Sequence, residues 1–170
     1  MNLKEKIRVI PDFPEEGIRF KDITTLLKDG EALKTAIDKL MDEVKDVDFD
    51  LIVGPESRGF IVGTPLAYAS GTGFVPIRKP GKLPAETIRY EYKLEYGSDT
   101  LEIHKDAIQP GQKVVIADDL LATGGTLISA IKLVEQLGGE VVAVLCLIEL
   151  TYLNGRELLK DYNVKSIIKY

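Results

Sequence analysis

Apolar and polar positions recur along this chain with two different periods, and the change of period marks its elements. From Glu31 to Val44 the apolar residues Leu33, Ala36, Ile37, Leu40, Met41 and Val44 fall three or four apart, which predicts an amphipathic helix with one buried stripe. Leu51-Ile52-Val53 is a short apolar run closed by Gly54-Pro55, and Ser57 to Ala69 returns to helical spacing. The same order repeats at Val114-Val115-Ile116-Ala117, a turn over 118–125, and a helix marked by Leu127, Ala130, Ile131, Val134 and Leu137. Gly138-Gly139 stops that helix. Val141 to Ile148 is continuously apolar, as expected of a strand covered on both faces. Short apolar strands alternating with helices predict an α/β fold, a central mainly parallel sheet with helices on both faces. Ligands of such sheets sit beyond the carboxyl ends of the strands, which points to 54–59 and 118–126.

One stretch has period two. Ile88, Tyr90, Tyr92, Leu94 and Tyr96 alternate with Thr87, Arg89, Glu91, Lys93 and Glu95. A turn at Gly97-Ser98-Asp99 then leads into a second alternating run, Leu101 to His104. This predicts an antiparallel β-hairpin with one apolar face, inserted between elements of the parallel sheet. Such a hairpin is marginal alone and suits a flexible, movable cover.

Composition narrows the class. At 170 residues with 45% apolar residues, the chain suits one domain without linkers or repeats. Its longest apolar run, Val141 to Ile148, falls well short of the ~20 residues that span a bilayer. Met1 to Lys6 lacks the apolar centre of a signal peptide, so the expectation is a cytoplasmic protein without membrane association. A lone Cys146 and a lone His104 leave no internal disulfide and no Cys/His zinc site. Cys146 reads as core, and His104 as structural or surface. Ser57 lacks the Gly-x-Ser-x-Gly elbow of an acyl-transfer nucleophile.

The net charge of −5 argues against broad nucleic-acid binding. That charge is unevenly spread. Residues 29–50 carry eight acids against three bases, mostly on the predicted helix, a solvated face. Residues 54–84 instead carry Arg58, Arg78, Lys79 and Lys82 against Glu56 alone. The segment beside the predicted strand ends therefore has the sign that anionic ligands require.

Val114 to Thr126 carries the chemistry. A strand delivers Asp118 and Asp119, and a turn of small residues opens a helix. The amides of Ala122 to Thr126, with the hydroxyls of Thr123 and Thr126, suit a phosphate at the helix N-terminus. Gly124 and Gly125 permit the close approach that a β-carbon blocks. A carboxylate pair beside a phosphate nest fits a sugar phosphate, its hydroxyls toward the acids and its phosphate toward the amides. The same pattern also fits a tight strand–helix turn whose Thr and Asp residues merely cap the helix. Neither a Gly-x-x-x-x-Gly-Lys-Ser/Thr loop nor a dinucleotide Gly-x-Gly-x-x-Gly motif occurs.

Asp118-Asp119-Leu120-Leu121-Ala122-Thr123-Gly124-Gly125-Thr126 resembles the phosphoribosyl-diphosphate signature of type I phosphoribosyltransferases, in the form of their adenine-specific branch. The resemblance runs in order through Gly17 to Ile23, Glu56 to Phe60, Arg78 to Pro84, Leu94 to Gly97 and Leu101 to Ala107. It implies a type I phosphoribosyltransferase fold over 1–170, one domain with a base-binding N-terminal segment (1–28), a hairpin hood (81–105) and a phosphoribosyl-diphosphate loop (114–126). The implied reaction joins adenine to C1 of 5-phosphoribosyl 1-diphosphate, giving AMP and pyrophosphate.

By the same resemblance, Ala122, Thr123, Gly124, Gly125 and Thr126 bind the 5-phosphate, and Asp118 and Asp119 face the ribose hydroxyls. Arg58, Arg78, Lys79, Lys82 and Tyr96 hold pyrophosphate. Glu95 handles the purine proton, and Arg19, Phe20 and Lys21 receive adenine. Magnesium is implied as the partner of the diphosphate rather than an ion in a protein cage, and a homodimer is implied as the assembly. On pattern alone Glu95 is one of several solvated hairpin charges and the basic cluster a solvated loop. Glu16 stands where the family has a proline in Pro-x-Pro-Gly. Two other readings share the fold, a transferase for xanthine or another 6-oxopurine and a phosphoribosyl-diphosphate-sensing regulator. The pair Gly-Ile-x-Phe-Lys-Asp-Ile and Glu-Ser-Arg-Gly-Phe favours adenine.

Overall fold

The computed structural model describes residues 1–93 and 96–170, which fall into two compact units, residues 1–39 and 40–170. In the first, β1 (Arg8–Pro11) pairs antiparallel with β2 (Arg19–Asp22), two strands too short and exposed to show in the apolar pattern. The buried Asp22 ends β2 and accepts hydrogen bonds from the Thr24 amide and hydroxyl at 2.9 and 2.6 Å and from the Arg8 guanidinium. Thr24, then Arg8, hold its carboxyl down at about 2. These bonds set the start of α1 (Thr24–Leu27). Asp29 caps α2 (Gly30–Glu43) by accepting from the Glu31 and Ala32 amides, each at 3.1 Å. Ala36, Ile37, Leu40 and Val44 are buried, as their spacing predicts.

The second unit runs β3 (Leu51–Pro55), α3 (Arg58–Ser70), β4 (Gly73–Ile77), β5 (Thr87–Lys93), β6 (Ser98–His104), β7 (Lys113–Leu121), α4 (Gly125–Gln136), β8 (Glu140–Glu149) and β9 (Val164–Lys169). Five strands form a parallel sheet in the order β4-β3-β7-β8-β9. The two edge strands, β4 and β9, are the ones the apolar pattern does not mark, because each is only partly buried. Leu127, Ala130, Ile131 and Val134 of α4 share a core cluster with Val53, Val114, Ile116 and Val144. Ile52 and Val115, the alternate residues of the same strands, are equally buried on the other face, where α3 packs on β3 and β7.

The chain leaves β3 toward one edge of the sheet and leaves β7 toward the other. The gap between their carboxyl ends is the switch point at which open α/β sheets bind ligands. Pairing of β3 with β7 stops at Val53–Ile116, whereas β8 accompanies β7 to Leu121. Asp118 and Asp119 therefore lie within a strand rather than past its end, on a stretch paired along one edge only.

The hairpin pairs Thr87 with His104, Arg89 with Glu102, Tyr92 with Asp99 and Lys93 with Ser98. Ser98 and Asp99 belong to β6, not to the turn that the sequence suggests. The hairpin is not a detached cover at its base: Leu101 and Ile103 join the main core, with Ile88 and Tyr90 packed against it. Tyr96, expected on the apolar face, is 89% exposed, and Leu94 lies outside the described residues. His104 is structural, its Nε2 accepting from the Ala85 amide at 3.2 Å, and Cys146 is fully buried core. Among the described residues, no helix is long and apolar enough to cross a membrane.

Candidate active site

The carboxyl ends of β3 and β7 enclose a cavity of about 470 Å³. One wall is the loop from Ala122 to Thr126, which turns β7 into α4. Gly124 has φ +91°, a left-handed conformation that glycine adopts without strain. The first bond of the helix runs from the Ile128 amide to the Gly124 carbonyl at 2.9 Å, so the amides before it have no partner within the helix. They sit where partial positive charge accumulates, and an anion satisfies both needs.

The loop is shaped from behind by Gly155. A β-carbon there would strike the Ala122 carbonyl oxygen and lie 3.0 Å from the Gly124 nitrogen. Nothing in the sequence before Gly155 signals this contact, because it brings together residues some thirty positions apart. Gly125 is equally confined, for a β-carbon on it would meet the Tyr92 ring at 2.8 Å.

Asp118 and Asp119 also line the cavity, 8% and 6% exposed. The Asp119 amide donates to Asp118 Oδ1 at 2.8 Å. Gly59 leaves room for Asp118, since a β-carbon there would lie 3.0 Å from Oδ1. Burial, and then the neighbouring Asp119 charge, push the Asp118 carboxyl well above the usual carboxylate range. Arg58, the first residue of α3, opposes this and places Nε 2.8 Å from Asp119 Oδ2.

Glu56, Ser57, Arg58 and Lys79 also line the cavity, and the Glu56–Ser57 peptide is cis. Glu56 accepts from the Lys79 amide at 2.8 Å and from Arg78 Nε at 3.2 Å. Burial works against its charge, but these donors prevail and hold its carboxyl below the usual range. Arg78 does not line the cavity; its guanidinium lies between Glu56 and the face of Phe60, 5.8 Å from the ring centroid. Lys82 is exposed at the end of the same turn, whose Lys82 amide donates to the Lys79 carbonyl at 3.3 Å.

A second buried carboxylate anchors that turn. Glu102, 3% exposed, accepts from the Gly81 amide at 2.9 Å, the Thr87 hydroxyl at 3.1 Å and the Arg89 guanidinium at 3.1 Å. Its backbone also exchanges two hydrogen bonds with Arg78, at 3.0 and 2.7 Å. Alternation places Glu102 on the polar face of the hairpin, which the sequence suggests is solvated; the basic turn covers that face. The Gly81 amide, against the cost of burial, keeps its carboxyl below the usual range, helped by Thr87 and Arg89.

Of the remaining candidates, Tyr96 is exposed near the hairpin tip and Glu95 lies outside the described residues. Arg19, Phe20 and Lys21 sit together on β2 in the first unit. Phe20 meets Phe13 edge to face, centroids 5.2 Å apart, and Lys21 Nζ donates to the Arg19 carbonyl at 2.7 Å. Burial, then Arg19 and Lys4, lower the Lys21 pKa.

The family comparisons agree with this geometry. A family model described as the phosphoribosyl transferase domain matches residues 24–170. Adenine phosphoribosyltransferase of Alkaliphilus metalliredigens is 67% identical over the whole of both chains. The crystal structure of adenine phosphoribosyltransferase from Thermoanaerobacter pseudethanolicus superposes with a TM-score of 0.96 at 59% identity, covering 99% of this chain and 98% of that one. That from Saccharomyces cerevisiae, complexed with an imino-altritol bisphosphate and adenine, gives a TM-score of 0.90 at 43% identity, covering 96% and 95%. With a carboxylate pair, an amide nest and a matching relative over its full length, the chain belongs to the phosphoribosyltransferase family, in its adenine phosphoribosyltransferase branch.

Proposed function

We propose that this chain transfers the 5-phosphoribosyl group of 5-phosphoribosyl 1-diphosphate to adenine, forming AMP and releasing pyrophosphate. The observation that carries the reading is the single cavity that sets the Ala122–Thr126 nest and the Asp118–Asp119 pair beside Arg58 and Lys79. A phosphate, a ribose and a diphosphate each find a chemically matched wall.

In this reading Ala122, Thr123, Gly124, Gly125 and Thr126 take the 5-phosphate through amides and hydroxyls. Asp118 and Asp119 accept from the ribose hydroxyls, and their charge favours the oxocarbenium-like state at C1. The C1–O bond breaks with its electron pair leaving on pyrophosphate, and N9 of adenine supplies the pair for the new C1–N bond. Arg58 and Lys79 neutralise the leaving group within the cavity. Arg78, Lys82 and Tyr96 act on it from the turn and hairpin. Glu95 takes the N9 proton, and Arg19, Phe20 and Lys21 receive the base. The chain then works as one domain over 1–170, with the segments 1–28, 81–105 and 114–126 serving base, cover and phosphate.

The donor set also suits magnesium carried by the substrate. Asp119 is committed to Arg58, and among the described residues no group of three His, Cys, Asp or Glu converges on one point. Diphosphate and ribose oxygens would supply most of the ion's ligands, with Asp118 and Asp119 nearby. When bound, the ion neutralises charge on the departing pyrophosphate. A cytoplasmic homodimer is the proposed setting.

The test is pyrophosphate release with magnesium, 5-phosphoribosyl 1-diphosphate and each purine base in turn. Turnover with adenine is expected. Turnover only with xanthine or guanine overturns the substrate, and no turnover with any base overturns the enzyme reading in favour of a sensor.

A further inference from the structure

Gly155, whose backbone lies against the Ala122–Thr126 turn, is followed by an arginine that is held on two strands at once. The contact with the turn is mutual, for a β-carbon on Gly124 would stand 2.8 Å from the Gly155 carbonyl oxygen. Ahead of Gly155 the chain offers little to keep it there: Tyr152 and Leu153 are exposed, and Asn154 is a left-handed turn residue with φ +57°. Behind it stands Arg156. Its Nη2 and Nε donate to Glu149 Oε1 and Oε2 at 2.7 and 3.0 Å, and its Nη1 donates to the Val164 carbonyl at 2.9 Å. Glu149 is buried at the end of β8, level with Leu121 on β7, the residue that leads into the turn. The Ser166 hydroxyl on β9 donates to Glu149 Oε1 at 2.6 Å. Arg156 above all, and against the cost of burial Ser166 as well, hold the Glu149 carboxyl below the usual range, so the pair stays ionised at neutral pH.

We propose that Glu149 and Arg156 are positioning residues for the 5-phosphate nest, acting through Gly155; this rests on the phosphate reading of Ala122–Thr126. A site made of backbone amides has no side chain with which to correct itself, so its affinity depends on how firmly the backbone is held. Arg156 ties the turn after β8 to the end of β8 and the start of β9 with three donors in one plane, a geometry that lysine lacks. Neither Glu149 nor Arg156 lines the cavity, so none of these bonds is given up when a ligand enters. Loosening the pair lowers the fraction of molecules whose nest is correctly shaped, and the apparent affinity falls by that fraction.

The test is calorimetry on the full chain with two probes, ribose 5-phosphate and magnesium pyrophosphate. Glu149→Gln keeps the size and the acceptor for Ser166 but loses the charge that holds Arg156. It is expected to weaken ribose 5-phosphate about five-fold, a nest correctly shaped about one-fifth of the time. The direction is decisive, because removing a negative charge behind the nest would tighten a phosphate if charge alone mattered. Arg156→Met, which leaves the buried carboxylate unpaired, is expected to weaken ribose 5-phosphate about ten-fold or more. Arg156→Lys restores the charge without the fork and stays about three-fold weaker than wild type. Magnesium pyrophosphate stays within about two-fold of wild type in all three, because Arg58 and Lys79 stand on α3 and after β4. If Arg156→Met does not fold, Glu149→Gln decides alone. Unchanged or tighter ribose 5-phosphate binding in Glu149→Gln overturns the proposal, as does equal loss for both probes, the mark of a merely structural role. If wild type itself binds no ribose 5-phosphate, the phosphate reading of the nest fails first and the role of the pair falls with it.

Discussion

Arg58 Nε stands 2.8 Å from Asp119 Oδ2, so a cation assigned to pyrophosphate and a carboxylate assigned to ribose are each other's partners. Asp119 is almost wholly buried while the Arg58 side chain keeps 46% of its surface exposed. The arginine can thus reach toward a ligand while still compensating the acid. Arg58→Gln is expected to weaken magnesium pyrophosphate about ten-fold, the loss of a charged hydrogen bond. Ribose 5-phosphate should change much less, and calorimetry with the two ligands reads the contrast.

Asp118 gives a prediction about pH. Its carboxyl is raised by burial first and by Asp119 second, so the folded chain holds that proton more tightly than the unfolded one. Folding stability from this group is fully present below the ordinary carboxylate pKa and is lost as pH rises through the raised value. Asp118→Asn removes the charge yet keeps an acceptor for the Asp119 amide. It is expected to melt higher than wild type at pH 8, with the difference closing toward pH 4, while turnover is lost. Thermal scans across that range check the sign.

Gly155 tests the support behind the Ala122–Thr126 turn. Gly155→Ala drives a methyl into the Ala122 carbonyl, so either the nest or the 3₁₀ turn of Gly155–Leu159 must shift. Overpacking of this kind costs about 1–3 kcal/mol. The expected result is a lower melting temperature and a loss of ribose 5-phosphate affinity of about ten-fold. Equal affinity would mean that the nest does not depend on this contact.

Glu102 holds the turn that carries Arg78, Lys79 and Lys82, through the Gly81 amide and the hairpin donors. Glu102→Gln removes the charge and leaves a carboxamide among donors, at about 1–3 kcal/mol for an unsatisfied buried group. The expected kinetic signature is a raised KM for 5-phosphoribosyl 1-diphosphate with the KM for adenine little changed. Steady-state assays varying each substrate measure it.

Glu95→Ala is expected to lower kcat by about a hundred-fold or more, the usual worth of a general base. The affinity for 5-phosphoribosyl 1-diphosphate should barely move. An unchanged kcat removes Glu95 from proton transfer.

Much of the fold is legible because its signals are local. The apolar stripe of α2, the continuous run of β8 and the alternation of β5 each reflect burial repeating at a fixed period. The Ala122–Thr126 nest is legible for a similar reason, since a helix start after a strand needs small residues and leaves amides unpaired. Edge strands β4 and β9 escape notice because half-buried residues weaken the pattern.

Local pattern along the chain dictates the alternating strands and helices, the inserted hairpin and the acid pair followed by a turn of small residues that opens a helix. Only the fold brings Arg58 to Asp119, buries Glu102 beneath a basic turn, and packs Gly155 and Tyr92 against the Ala122–Thr126 turn. The physical reason is sequence separation. Backbone periodicity and helix ends are written within a few residues, whereas the partner of a charge or the occupant of a missing β-carbon comes from wherever the sheet order brings the chain.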